Sequence, residues 1–329
     1  MRTRHVLVIG AAGLALVTAG CGSSGSAGSS STTSAAAGSG SASATAGAVK
    51  VAFITKFPVA FYSAMVDSAK AWAAKNPGAD ITYFNCKSPS DVQCQTAQIE
   101  DAVTKGFQAI VITPMGPEVV PAMNAAADKG VKIVLADNDL ADFTKKVSVA
   151  ATDNVKGGQA AGAYVKSILK SGDTIGLMEG VRGVPALDAR IKGVKDTLQG
   201  TGVNVIIGGA ETKCDAAQGA TVAEDLLTRS PNLTAIYSAC DDPAISAAKV
   251  AKEKGKKIIV MGYDGLPDAA KAIEAGGMKA TIAQFPGKMA SLGVAAAVKA
   301  VQGGTVEPLI DTGTQLVTKD NAAGFLNFQ

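Results

Sequence analysis

Short apolar segments alternate with longer helical patterns from residue 49 to the C-terminus, and this alternation constrains the fold most strongly. Most of these segments are apolar at consecutive positions, which is typical of strands covered by helices on both faces of a sheet. The pattern predicts an α/β protein with parallel sheets. The predicted strands are residues 49–55, 81–85, 109–113, 132–136, 147–150, 174–179, 204–208, 235–238, 257–262 and 281–284.

The number of predicted strands bears on the architecture. Ten strands in roughly 280 residues suit two doubly wound sheets, each forming a lobe of ordinary domain size. A single closed eight-fold barrel is the competing architecture. Helices are predicted between the strands, for example at residues 62–75, 92–105, 158–170, 216–228 and 287–301.

The first 48 residues have a different composition. A basic start and an apolar stretch at 6–17, too short to span a bilayer, indicate a cleaved export signal over residues 1–20. The small residues before Cys21 resemble a bacterial lipobox, which predicts lipidation of Cys21; a plain secretory signal with a chance cysteine is the alternative. Residues 22–48 contain only Gly, Ser, Ala and Thr, so 21–48 is expected to be a flexible tether. We therefore expect an exported protein that is lipid-anchored on the outer face of the cytoplasmic membrane.

Charge and histidine content exclude several functions. The 31 Lys+Arg and 28 Asp+Glu give a net charge of +3, which falls to +1 without Arg2 and Arg4 of the signal. Such a balance offers no basic field for nucleic acid. The single histidine, His5, also lies in the signal. The mature chain therefore lacks the histidine of Ser-His-Asp and Cys-His centres and of His-ligated metal sites, and we expect no enzyme activity, cofactor or metal.

Polar residues follow several of the predicted strands. Asp137, Asp241 and Asp264 directly close apolar segments, and ligands of open parallel sheets bind beyond the carboxyl ends of the strands. Carboxylates there make strong hydrogen bonds to hydroxyl groups, which favours a small neutral polyhydroxylated ligand. An aspartate before a helix can instead cap it. For Asp242, which precedes Pro243, the sequence favours an N-cap.

Several motifs resemble those of the ribose-type periplasmic sugar-binding proteins, which are type I periplasmic binding proteins, and they occur in the family's order. The resemblance implies two doubly wound parallel-sheet lobes, joined by a three-segment hinge, that close on one ligand and deliver it to an ABC importer. The implied lobes are residues 49–152 with 285–311, and 153–284 with 312–329. The motifs are Asp91-Val-Gln-Cys-Gln-Thr-Ala-Gln-Ile-Glu-Asp, Gly106-Phe-Gln-Ala-Ile-Val-Ile-Thr-Pro, Thr152-Asp-Asn-Val-Lys-Gly-Gly, Arg190-Ile-Lys-Gly, Gly262-Tyr-Asp-Gly-Leu-Pro-Asp and Ala280-Thr-Ile-Ala-Gln.

The resemblance also nominates ligand-binding residues. Aromatic rings at Phe61 and Tyr62 would lie against the apolar face of a sugar, while an Asp at 137 and an Arg at 190 would bind its hydroxyl groups. The complete nominated set is Thr55, Phe61, Tyr62, Asp137, Asn138, Arg190, Cys240, Asp241, Asp264 and Gln284.

Four positions depart from the family pattern. Asn138 stands where the family has an arginine, Val59 and Cys240 replace asparagines, and Cys214 replaces an aromatic residue. Lost hydrogen-bonding groups redirect specificity, so we expect a ligand other than ribopyranose. A linear tetritol or pentitol is favoured, and another pentose or hexose comes next. The expected partners are ABC permease subunits, and the family's usual state is a monomer.

Four cysteines remain after Cys21, an even number in an exported chain. Of the three possible pairings, Cys86–Cys94 with Cys214–Cys240 keeps each disulfide inside one lobe of the implied architecture. The other two pairings would join the lobes and oppose closure. A zinc site is the alternative, but no Cys-x₂₋₄-Cys spacing is present.

Two other functions compete with sugar or polyol binding. The same fold could bind an amino acid or a signalling furanone, for which Lys56 and Arg190 are the obvious charge partners. An exported glycoside hydrolase would need two carboxyl groups about 5–10 Å apart, such as Asp137 with Asp241 or Asp264; this is the remote alternative.

Overall fold

The computed structural model describes residues 47–88 and 91–328. The predicted export signal, Cys21 and the tether through residue 46 lie outside the described residues. Within the described part, twelve strands are present: β1 (Val49–Ile54), β2 (Ala79–Phe84), β3 (Ala109–Ile112), β4 (Lys132–Ala136), β5 (Ser148–Ala151), β6 (Thr174–Met178), β7 (Asn204–Ile207), β8 (Leu233–Ser238), β9 (Ile259–Asp264), β10 (Ala280–Ala283), β11 (Leu309–Asp311) and β12 (Gln315–Thr318).

The α-helices connect these strands. Those of the described residues are α1 (Ala60–Lys75), α2 (Val92–Thr104), α3 (Val120–Asp128), α4 (Asn154–Ile168), α5 (Pro185–Leu198), α6 (Ala216–Arg229), α7 (Asp241–Glu253), α8 (Pro267–Glu274) and α9 (Pro286–Val301). Short 3₁₀ helices precede α3 and follow β12. No helix in these ranges is both long enough and apolar enough to cross a membrane.

The strands form two six-stranded sheets. The first has the order β11-β5-β4-β3-β1-β2, and the second has the order β12-β10-β9-β8-β6-β7. All neighbouring strands are parallel except β12, which runs antiparallel to β10. The central strands are buried on both faces, as their continuous apolar sequences require. The predicted α/β architecture with two parallel sheets is therefore confirmed, and the single-barrel alternative is wrong.

The chain passes between the sheets three times. It leaves the first sheet after β5 and enters α4, which contacts β10 and β12 of the second sheet. It returns after β10 through α9, which packs on β1, β3, β4 and β5. Residues 312–314 then join β11 of the first sheet to β12 of the second.

Two features differ from the sequence-based expectation. Strands β11 and β12 were not predicted, because they are short outer strands whose exposed and polar residues interrupt any apolar run. The prediction of Asp242 as an N-cap is wrong, because α7 begins at Asp241 and Cys240 is its N-cap residue. Asp241 and Asp242 thus lie in the first turn, where negative charge is favourable to the helix dipole.

Candidate ligand-binding site

One half of the site lies at the carboxyl ends of β1 and β4 in the first sheet. Asp137 follows β4, and its backbone N–H donates to the Ala150 carbonyl at 3.0 Å. Tyr62 lies in the first turn of α1 and is buried. Its hydroxyl donates to Asp137 Oδ2 at 3.4 Å, while the Asn138 amide donates to the same oxygen at 3.1 Å.

The other half lies at the carboxyl ends of β9 and β10 in the second sheet. Arg190 of α5 is buried, and its Nη1 donates to Asp264 Oδ1 at 2.8 Å and to the Ala239 carbonyl at 2.9 Å. Gln284 Nε2 donates to the same Asp264 oxygen at 2.7 Å. The Asp264 side chain is 19% exposed against 6% for Arg190, so the carboxylate is the more accessible member of the pair.

Both site aspartates have a strained backbone conformation. Asp137 has a φ of 68° and Asp264 a φ of 124°, although neither is glycine. Residues held in such regions cost about 1–3 kcal/mol each and concentrate at functional sites. The strain therefore supports a functional assignment for these two aspartates.

The two halves lie within electrostatic range of each other. Burial raises the pKa of Asp137, and the positive charges of Lys56 and Arg190 oppose that rise. Burial also raises the pKa of Asp264, again opposed by Arg190, while the negative charge of Asp137 adds to the rise. Asp137 follows β4 of the first sheet, and Arg190 lies in α5, which connects β6 and β7 of the second, so the site is built from the surroundings of both sheets.

Asp241 has a different environment from Asp137 and Asp264. It is fully buried; one carboxylate oxygen accepts from the Thr281 hydroxyl at 2.7 Å and the other from the Leu266 N–H at 2.8 Å. Burial and the neighbouring Asp264 raise the pKa of Asp241 well above its usual value. These contacts brace the turn that follows Asp264, so Asp241 has the contacts of a positioning residue.

The remaining nominated residues lie in varied surroundings. Thr55 is buried, and its hydroxyl donates to the Phe84 carbonyl at 3.4 Å. The Phe61 ring makes edge contacts with Tyr62, at a centroid distance of 5.5 Å, and with Phe328, at 6.0 Å.

The cysteines form two pairs at disulfide distance. The Cα–Cα distance is 5.9 Å for Cys86 and Cys94 and 5.4 Å for Cys214 and Cys240, both within the usual range. Cys240 is buried. Because it directly follows Ala239, whose carbonyl accepts from Arg190, the second pair lies beside the arginine.

Three residues that support the site are outside the nominated set, although Lys56 was named as a charge partner for the alternative ligand class. Asn154 Oδ1 accepts from Arg190 Nε at 2.9 Å, and the buried Tyr263 ring lies 4.0 Å from the Arg190 guanidinium carbon. Lys56 lies two residues after β1, and its positive charge opposes the rise that burial causes in the pKa of Asp137. The position of Asn154 before a predicted helix indicated a cap or a turn at least as strongly as a contact in the site. An apolar strand gives no signal that Tyr263 lies beneath an arginine. Among the described residues, no group of His, Cys, Asp or Glu could hold a metal ion.

Comparisons with known proteins agree with this arrangement. A family model described as "Periplasmic binding protein domain" matches residues 51–305. The ribose import binding protein of Haemophilus influenzae is 31% identical over 233 residues, which cover 70% of this chain and 79% of that protein. The D-allose-binding periplasmic protein of Escherichia coli is 30% identical over 246 residues, or 72% of this chain and 79% of that protein.

A solved structure is also similar. An ABC transporter solute-binding protein from Mycobacterium smegmatis, with bound glycerol, is 29% identical and has a TM-score of 0.76. The match covers 86% of this chain and 98% of that one.

Proposed function

Since this chain belongs to the periplasmic binding protein family, we propose that it captures a small neutral sugar or sugar alcohol between its two lobes. It is a non-enzymatic solute-binding protein of an ABC importer, like the relatives named above. The finer parts of the proposal are the ligand class, the residues that bind it, and the attachment to the membrane.

The main support for a neutral ligand is the balanced charge of the site. Asp137 has Lys56 as its positive neighbour, and Asp264 has Arg190. With each carboxylate opposed by a cation, the site has no excess charge for an ionic ligand to neutralise. Hydroxyl groups both donate and accept hydrogen bonds, so they suit alternating carboxylates and cations.

The ligand is proposed to be a linear tetritol or pentitol, with a pentose or hexose next. Asn138 supplies one amide donor where the family pattern has an arginine, so ribopyranose is not expected to be the preferred ligand. The glycerol in the M. smegmatis relative is a linear polyol and supports this class. The proposed site consists of the ten nominated residues, with Asp241 positioning the turn after Asp264. They are Thr55, Phe61, Tyr62, Asp137, Asn138, Arg190, Cys240, Asp241, Asp264 and Gln284.

The proposal includes the attachment and the lobes. Lipidated Cys21 and the tether would hold residues 49–152 with 285–311, and 153–284 with 312–329, outside the cytoplasmic membrane near the permease. Each lobe would contain one disulfide, Cys86–Cys94 or Cys214–Cys240. Thiol labelling of the unreduced, denatured protein should leave all four of these cysteines unmodified; four labelled cysteines would contradict the disulfides.

A thermal-shift panel tests the proposed function. The purified protein is heated with aldopentoses, hexoses, tetritols and pentitols in parallel with amino acids. A ligand at 100 times its Kd adds about 2.7 kcal/mol of stability, which raises Tm by several degrees. A shift with one carbohydrate series supports the proposal, and shifts confined to amino acids would replace it with the alternative ligand class.

A further inference from the structure

Lys56 occupies a fixed position at the edge of the site. Its carbonyl accepts from the Cys86 N–H at 2.9 Å, and the N–H of the preceding Thr55 donates to the Phe84 carbonyl at 2.9 Å. The backbone on both sides is thus held to the segment that ends β2. The side chain is half-buried, and its ammonium lies 5.8 Å from the centroid of the Tyr62 ring.

The ammonium of Lys56 donates no hydrogen bond to residues 47–88 or 91–328. A lysine ammonium has three donors, yet no acceptor among the described residues lies within hydrogen-bond distance of Lys56 Nζ. Arg190, the cation of the second sheet, differs in this respect, because it donates to Asn154, Ala239 and Asp264. A half-buried cation whose donors have no partner in the described part of the chain is suited to an acceptor that a ligand supplies.

The site carboxylates show the complementary pattern. The hydrogen bonds to Asp137 from described residues reach Oδ2, and those to Asp264 reach Oδ1. The other oxygen of each carboxylate accepts none from the described part of the chain. Each half of the site therefore presents a free carboxylate oxygen together with a cation.

Lys56 also supplies the positive charge that an arginine at position 138 would supply in the family pattern. Asn138 follows Asp137 and donates to its carboxylate, but an amide carries no charge. Lys56 approaches the same carboxylate from the end of β1, and its charge opposes the rise in the pKa of Asp137 that burial causes. The cation is thus present, but it comes from the end of β1, across β3, instead of from the residue after Asp137.

We propose that Lys56 is a ligand-binding residue that, with Asp137, clamps one hydroxyl group of the ligand, in the same way as proposed for Arg190 and Asp264 at the second sheet. The hydroxyl donates to the carboxylate and accepts from the ammonium. A carboxylate in the same place would face the like charge of Asp137, so the clamp selects a hydroxyl-bearing carbon over an acid. This inference rests on the proposed function, since it specifies how that site recognises its ligand.

The test compares Lys56→Met, Lys56→Arg and Lys70→Met by titration calorimetry. The probe is whichever of erythritol, xylitol, ribitol and D-ribose gives the lowest Kd with the unaltered protein. Lys70 is the matched control, because its ammonium lies 5.6 Å from the Tyr83 ring but it is exposed and pairs with Asp67. Loss of a charged hydrogen bond should raise the Kd of Lys56→Met by about 10- to 100-fold, with partial recovery in Lys56→Arg and less than a twofold change in Lys70→Met.

Monodeoxy analogues of the probe separate contact from a structural role. If Lys56 binds one hydroxyl, Lys56→Met should no longer distinguish the probe from the analogue that lacks that hydroxyl, while it still distinguishes the others. Equal Kd values for Lys56→Met and the unaltered protein, or an undiminished preference at every hydroxyl, would overturn the inference and leave the proposed function intact. If the unaltered protein binds none of the probes, both proposals fall. If Lys56→Met does not fold, Lys56→Gln replaces it in the same experiment.

Discussion

At the residue scale, the site depends on two aspartates that resemble each other in sequence and in backbone. Asp137 follows β4 and Asp264 is the last residue of β9; each has a positive φ and one oxygen that accepts hydrogen bonds from neighbouring donors. The strain and the desolvation of both carboxylates are unfavourable in the empty protein. A ligand hydroxyl that reaches the free oxygens offsets part of this, which is why substitution of either aspartate should affect binding more than folding.

Asp137→Asn is expected to weaken binding of the best panel ligand by about 10- to 100-fold, because a charged hydrogen bond becomes a neutral one. Asparagine tolerates positive φ, so the fold should be retained. Asp139→Asn is the matched control, since Asp139 is 54% exposed and pairs with Lys146 at 2.7 Å. Calorimetry with both variants checks the prediction; equal losses of affinity would contradict the assignment of Asp137.

Asp241 leads to a prediction about pH. Its pKa in the folded protein is raised well above the unfolded value of about 3.9. Between these two values the folded state binds more protons, so the contribution of Asp241 to stability grows as pH falls. The free energy of unfolding of the unaltered protein, relative to that of Asp241→Asn, should therefore be larger at pH 4.5 than at pH 7.5.

Urea unfolding at the two pH values measures this difference. Asp67→Asn serves as the control, because the Asp67 side chain is 76% exposed. A difference that grows with rising pH would show that Asp241 is not held in the buried environment described.

The sequence identified several site residues but not the surroundings of all of them. Asp137, Arg190, Asp264 and Gln284 were nominated, and the structure brings them together. The environment of Asp241 could not be predicted, because its partner Thr281 lies 40 residues away and the pairing depends on how β10 is placed beside β9. A strand-closing aspartate has the same local sequence whether it faces a ligand or a neighbouring strand.

At the scale of elements, the contact between α4 and α5 positions Arg190. A Cβ on Gly193 of α5 would lie 2.6 Å from the backbone of Gly158 and Gln159 in α4. A Cβ on Gly158 would lie 2.4 Å from the Arg190 carbonyl. The helices therefore approach closely because both positions are glycine, and this closeness lets Asn154 of α4 reach Arg190.

Gly193→Ala should force the two helices apart. We expect a loss of about 1–3 kcal/mol of stability from overpacking, together with weaker ligand binding because Arg190 moves with α5. Gly78→Ala is the control, since no heavy atom lies within 4 Å of the added Cβ, and its effect should stay within about 0.5 kcal/mol. Urea unfolding and calorimetry check both effects; a Gly193→Ala variant as stable as the unaltered protein would contradict this packing.

Element prediction succeeded where burial dictates composition. All ten predicted strands are present. Eight of them are central strands, which must be apolar throughout in a doubly covered parallel sheet. The other two, β2 and β7, are outer strands that still contain enough apolar residues to be predicted. The outer strands β11 and β12 do not. Leu309 is 56% exposed and Asp311 lies among polar partners, so this segment carries no strand signal in the sequence.

At the scale of the whole molecule, function follows from the two sheets and the three passages between them. Asp137 belongs to one sheet and Arg190 and Asp264 to the other, so a ligand that contacts all three bridges the sheets. Such a ligand stabilises the arrangement in which they are close. The sequence predicted two lobes, but it could not give their separation, since that depends on contacts between residues far apart in the chain.

The proposed function requires that the site bind a neutral polyhydroxylated ligand. Titration calorimetry of the purified protein with erythritol, xylitol and D-ribose, compared with xylonate and amino acids, measures this. We expect at least one neutral compound to bind with one-to-one stoichiometry, and xylonate to bind more weakly than xylitol. Binding of an amino acid or of xylonate with no binding of any neutral compound would contradict the proposed function.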